Sequence, residues 1–130
     1  MIRTELTRRL PEVVVCNLRP QSLKEYEVRE LDAPTDFVIY YEDAEPLVVA
    51  MFRSTGLIGY TELRMLFCRE YSLRHVRETR KIAKQLVRMF GPLVTCVADD
   101  FAVGKRFAKF FGFMPLKIEG AGYTLYELRA

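Results

Sequence analysis

A mixed α/β fold follows from three features of this 130-residue sequence. Short apolar runs rich in β-branched residues alternate with segments of helical period, the helical segments stop at glycines, and no repeat or Pro/Gly/Ser linker divides the chain. Half of the residues are hydrophobic, enough to bury a core without disulfide or metal staples. One domain over residues 1–130 is therefore expected.

The elements follow in order. "EVVVCNLRP" (12–20) is β-branched and ends at Pro20, which predicts a strand. "SLKEYEVREL" (22–31) predicts a helix, with Ser22 as N-cap, Glu25 completing a capping box, and Leu23, Tyr26 and Leu31 near helical spacing. "DFVIYYED" (36–43) and "EPLVVAMFRS" (45–54) predict two strands joined by a turn at "DAEP". "GYTELRMLFCRE" (59–70) predicts a third neighbour reached through a turn at 54–59, completing an antiparallel meander.

A helix over Val76 to Phe90 places Val76, Ala83, Leu86, Val87 and Phe90 on one side. It ends at "GP", where Gly91 can take a left-handed cap and Pro92 forbids continuation. "PLVTCVADD" (92–100) is a nearly continuous apolar strand of the kind buried on both faces. "FAVGKRFAKFFGF" (101–113) predicts a short helix packing through Val103, Phe107, Phe110 and Phe111, and two final strands flank "EGAG". The predicted order is β-α-β-β-β-α-β-α-β-β, a mixed central sheet.

Charge and cysteine content narrow the function classes. The formal net charge is only +3, from 20 Lys and Arg against 17 Asp and Glu, too mild to imply a nucleic-acid partner by itself. Cys16, Cys68 and Cys96 are odd in number and widely spaced among apolar residues, a pattern of reduced thiols rather than a disulfide framework or zinc site. One histidine excludes a His-rich metal centre, and no metal is expected. No apolar run approaches a membrane span and the N-terminus has no h-region, so a soluble protein without an export signal is expected.

The element order, with "ADDFAVGKRFAKFFGF" leading into a final strand pair, resembles the GNAT superfamily of N-acetyltransferases (acyl-CoA N-acyltransferases) over nearly the whole chain. "VCNLRPQSLKEY" is similar to the family's first strand and helix, "VIYYEDAEPLVVAMF" to its second and third strands, and "K-R-F-x-K-x-x-G-F" to its aromatic-rich turn before the sixth strand. The family's signature is a glycine turn, [R/Q]-x-x-G-x-[G/A], whose bare backbone amides at a helix N-terminus hold the pyrophosphate of acetyl-CoA. Laying "KIAKQLV" on the family's "G-I-G-x-x-L-L" puts Glu78 at the Arg/Gln position, Lys81 at the first glycine and Ala83 at the second. Only Ala83 agrees. The tyrosine that the family often uses to protonate the leaving thiolate falls at Ala108, and its asparagine at Phe101 or, in a register slipped by one, Asp100. These departures resemble small GNAT-like proteins of short-tailed bacteriophages, some carried inside the virion, which share a glycine-free basic segment and an "R-F-[L/A]-K" helix, here Arg106 to Lys109.

Each candidate residue has two readings. Arg74, Arg77, Arg80, Lys81, Lys84 and Arg88 form a basic helix face that is either solvated or, for Arg77, Arg80 and Lys81, a charge-based grip on CoA phosphates beside Ala83. Glu62 lies where many of these enzymes place the base that deprotonates the amine, and it is also an ordinary outward charge on a half-exposed strand. His75 is expected on the surface. Cys96 is expected in the core, and Cys68 beside Arg69 stays open as a nucleophile. The Phe101, Phe107, Phe110, Phe111 and Phe113 cluster is expected to pack inside.

The leading expectation is a catalytically silent, phage-encoded interaction module in the host cytoplasm or the virion, partnered by virion proteins or by itself. It would need no cofactor, membrane or metal, and nucleic acid is the weaker partner. The alternative is a working acetyl-CoA-dependent N-acetyltransferase with Glu62 or a water as base.

Overall fold

The computed structural model describes residues 2–30, 35–54, 59–70, 73–120 and 122–129. Seven strands are hydrogen-bonded in the order β1-β2-β3-β4-β5-β7-β6. By internal contacts the chain forms two compact units, Met1–Ser54 with Leu63–Ser72, and Thr55–Glu62 with Leu73–Ala130.

The first unit contains β1 (Ile2–Thr7), α1 (Glu12–Asn17), α2 (Pro20–Glu30), β2 (Asp36–Glu42), β3 (Glu45–Ser54) and most of β4 (Thr61–Phe67). Its first strand is not the predicted one. Residues 12–17 are helical because Leu10, Val14 and Leu18 recur every fourth position and all three are buried. The intervening β-branched residues suggested a strand, but their burial has a helical period. Pairing with β2 falls instead to Ile2–Thr7, in antiparallel register from Ile2↔Glu42 to Thr7↔Phe37.

The predicted capping box at Ser22 is also absent. The helix begins at Pro20, whose missing N–H is harmless in a first turn. The Ser22 hydroxyl accepts a hydrogen bond from the backbone N–H of Phe67 at 2.9 Å, fastening α2 to β4. The backbone N–H of Arg19 donates to the Phe67 carbonyl at the same 2.9 Å. Leu31 and the end of the expected helix, like the turn residues 55–58, lie outside the described residues.

The hairpin at "DAEP" is present: Asp43 and Ala44 take φ of 52° and 67° between Glu42 and Glu45, which pair with each other. Positive φ at both turn residues matches the twist of the flanking strands. The predicted strand boundaries 36–43 and 45–54 agree with β2 and β3 to within one residue. Phe37 to Tyr41 and Leu47 to Phe52 are buried without interruption, the mark of strands covered on both faces.

The second unit contains the start of β4, α3 (Leu73–Phe90), β5 (Leu93–Ala98), α4 (Ala102–Phe110), β6 (Met114–Gly120) and β7 (Tyr123–Leu128). Thr61 and Glu62 run parallel to Leu93 and Val94. β7 lies antiparallel between β5 and β6. Gly91, at φ 79°, ends α3 as expected and donates its N–H to the Val87 carbonyl at 2.8 Å. Thr61 covers another open carbonyl there, its hydroxyl donating to Phe90 O at 2.8 Å.

Candidate functional site

The α3 helix sorts its residues by angle. His75, Val76, Thr79, Ala83, Leu86 and Val87 are buried, whereas Arg74, Arg77, Arg80, Lys81, Lys84 and Arg88 are exposed. At about 100° per residue the six cations fall within an arc of about 120°. Glu78 is exposed on the same helix outside that arc. Among the described residues no ion pair is recorded for Arg77, Arg80, Lys81, Lys84 or Arg88.

The helix starts at Leu73, three residues before the predicted start. Lys81 and Ala83 therefore sit more than two turns inside it, where backbone N–H groups serve the helix's own ladder. The exposed side chains of Arg77, Arg80 and Lys81 project to solvent, and Ala83 packs inward. His75, expected outside, is only 7% exposed. Its Nε2 accepts from Arg74 Nη2 at 3.1 Å, and its backbone carbonyl accepts from the buried Thr79 hydroxyl at 2.9 Å. Burying a helical hydroxyl against a carbonyl one turn back satisfies both groups.

Glu62 stands at the parallel β4–β5 ladder, opposite Val94 and half-buried. Ala108, at the position of the family's acid, is buried on the inner face of α4. Its flanks, Phe107 and Lys109, offer no phenol. Cys68 packs against the core of the first unit, and burial pushes its thiol up to about 11, only partly offset by Arg69. A thiol so raised supplies almost no thiolate at neutral pH. Cys96 is half-buried and Cys16 exposed.

The aromatic cluster on α4 departs from expectation. Only Phe113 is fully buried; Phe107 and Phe111 are half-buried, and Phe101 and Phe110 are 54% and 42% exposed, with Val103 also outside. The inward stripe of α4 is Gly104, Phe107, Ala108 and Phe111, spaced i, i+3, i+4 and i+7. Two of its members are small, so the stripe is weak as a hydrophobic pattern. Gly104 has a local reason: a Cβ there would lie 2.5 Å from Cδ2 of Phe101, whose ring folds over it.

Two polar clusters were missed because their members are far apart in sequence. Tyr60 donates to Glu127 Oε2 at 2.6 Å, and Arg129 bonds both groups while its guanidinium lies 5.2 Å from the Tyr60 ring centroid. The Tyr60 hydroxyl and then Arg129 hold the Glu127 carboxyl below its ordinary range. In the first unit Arg69 bridges Glu42 Oε1 at 3.0 Å and Glu45 Oε2 at 3.3 Å, closing the β2–β3 hairpin. No three His, Cys, Asp or Glu side chains converge as a metal site among the described residues, and no helix is long and apolar enough to cross a membrane.

No family model and no curated protein sequence matches the chain. Solved structures do. Campylobacter jejuni N-acetyltransferase PseH in complex with acetyl coenzyme A is similar with a TM-score of 0.68 at 11% identity, covering 99% of each chain. A Bacillus subtilis acetyltransferase in complex with CoA gives 0.68 at 12% identity, covering 100% of this chain and 99% of that one. A GNAT family acetyltransferase from Elizabethkingia anophelis with acetyl-CoA bound gives 0.65 at 11%, covering 99% and 98%. This chain has the GNAT fold. At such identities the likeness establishes the path of the backbone and leaves the chemistry to the residues.

Proposed function

We propose that this is a catalytically silent GNAT-fold protein that works as an interaction module. The observation that carries this reading is Ala108: where the fold's enzymes often present a phenol to the departing thiolate, this chain buries a methyl group. A general acid contributes about 10²–10⁴-fold to such a step, and no neighbour on α4 replaces it. Lys81 and Ala83 lie inside α3 and not at its N-terminus, so the glycine-turn register laid on them does not hold and the reading rests on Ala108.

The partner surface fits the same reading. Phe101 at the N-cap of α4 and Val103 and Phe110 on it are exposed, as are Met114 on β6 and Tyr123 on β7; aromatic and Met side chains, with Arg106 also exposed on α4, are among the residue types enriched at protein interfaces. The resemblance to phage GNAT-like proteins makes a virion-associated role, by assembly with other virion proteins or by self-association, the proposed setting. Domain unity over residues 1–130 belongs to the same proposal.

The test is mass-spectrometric detection of free CoA over a panel of primary amines with acetyl-CoA, alongside light scattering. No amine-dependent CoA and a concentration-dependent increase in mass, reduced by Val103→Ser with Phe110→Ser, are expected. Amine-dependent turnover abolished by Glu62→Gln would establish the alternative, an acetyl-CoA-dependent N-acetyltransferase with Glu62 as base.

A further inference from the structure

The charges of this chain are segregated, which its total conceals. The unit containing α3 holds 11 Lys and Arg against 6 Asp and Glu, a net of +5; the other holds 9 against 11, a net of −2. More than half of the basic residues of the positive unit lie on one stripe of one helix: Arg74, Arg77, Arg80, Lys81, Lys84 and Arg88. Five of these repeat at intervals of 3, 4, 3 and 4 residues from Arg74 to Arg88, the spacing that keeps side chains in one line along a helix. At about 1.5 Å per residue this makes a straight cationic rail about 21 Å long.

We infer that this rail binds the phosphate backbone of double-stranded nucleic acid without reading its sequence. Its length decides against a CoA diphosphate, which would occupy one end of the rail and leave the rest idle. Its composition decides against an acidic protein, because protein interfaces are depleted of charge at their centres and anchored by apolar side chains. The rail has no apolar residue between its cations; Met89, an exposed apolar side chain among the described residues of α3, lies outside the arc. No exposed aromatic stands among the cations to stack on unpaired bases, which separates the rail from single-strand platforms. A duplex instead presents about one negative charge per 1.7 Å of its axis, and phosphate contacts of this kind fix position but carry no sequence information. The mild overall charge is no obstacle, since 11 of the 17 acids belong to the other unit while six cations share one face of α3.

The inference gives the proposed interaction module one partner, and its outcome is independent of whether acetyl-CoA is turned over. The test is fluorescence anisotropy of a labelled 24-base-pair DNA duplex of arbitrary sequence with the full chain at 50 to 200 mM KCl. With about five phosphate contacts the slope of log K against log salt is expected near −4 to −5, a loss of about 10²–10³-fold over that range. Arg77→Gln, Lys81→Gln, Lys84→Gln and Arg88→Gln together should lower affinity at least tenfold at 50 mM salt. The same change at exposed Arg8, Arg9, Arg19 and Lys24 of the other unit should leave it within twofold, with circular dichroism confirming that both variants fold. Equal losses in the two variants would reduce the rail to a net-charge effect, and no binding at 100 μM protein would overturn it outright. Tighter binding of polyglutamate than of duplex, or displacement of duplex by millimolar acetyl-CoA, would reassign the rail to an acidic protein or to the cofactor.

Discussion

The two units of this protein spend their hydrophobic residues differently. In the first, Leu10, Val14, Leu18, Tyr26, Phe37, Ile39, Val49, Met51 and Leu66 close into one core, with β2 and β3 buried along nearly their full length. In the second, Met89, Phe101, Val103, Phe110, Met114 and Tyr123 are exposed, and a six-cation stripe is added on α3. Acidic residues outnumber basic ones in the first unit and the reverse holds in the second. The contrast is one of degree: the second unit also buries Val76, Leu86, Val87, Leu93, Val94 and Phe113, and the first exposes Leu6 and Val13, but the exposed apolar residues are concentrated in the second, where side chains that bury nothing contribute little to folding.

That contrast can be broken by substitution. The largest effect belongs to the first unit: Ile39→Ala, at a fully buried position, should lower unfolding free energy by about 2–5 kcal/mol in urea titration. Phe110→Ala on the exposed face of α4 should change it by less than about 0.5 kcal/mol. Comparable losses at the two positions would mean that the α4 aromatics are structural after all.

Alkaline pH sharpens the same point. The Cys68 thiol is raised in the folded protein to about 11 from an ordinary value of 9.0, so above pH 9 the unfolded chain loses this proton first. Stability from this group is thus complete below about pH 9 and falls as pH rises to about 11, by about 2 kcal/mol in order of magnitude. Urea midpoints of wild type and Cys68→Ala compared between pH 8 and pH 11 isolate this fall, which the variant should lack. The smallest effect lies in the second unit, where Tyr60→Phe removes the main hydrogen bond on the Glu127 carboxylate. Its titration, followed by carbon NMR, should move upward toward the ordinary glutamate range with little change in stability.

The sequence was most legible where burial and period agreed. The β2–β3 hairpin and the Gly91 stop carry patterns that local propensity reinforces, whereas β5 forms where expected but is buried only at Leu93 and Val94, not on both faces along its length. Legibility failed where the two disagreed. Val13, Val14 and Val15 have strand propensity, but Leu10, Val14 and Leu18 bury at helical period, and tertiary burial prevailed. On α4 the small residues Gly104 and Ala108 formed the inner stripe, so the phenylalanines outside it looked like core. Ser22 had the right identity for a cap but serves Phe67, 45 residues away. Of the site, the basic face of α3 was visible in sequence; its one-sidedness, the burial of His75 and the Tyr60–Glu127–Arg129 cluster required coordinates.

The central claim is that a GNAT backbone here carries binding surfaces in place of acetyl-transfer chemistry. Calorimetric titration of the full chain with acetyl-CoA, beside an Arg77→Ala, Arg80→Ala and Lys81→Ala triple variant, tests it most directly. The account predicts no saturable heat up to near-millimolar acetyl-CoA in either protein. Micromolar binding by the wild type that disappears in the triple variant would contradict it and restore those three cations as a phosphate grip.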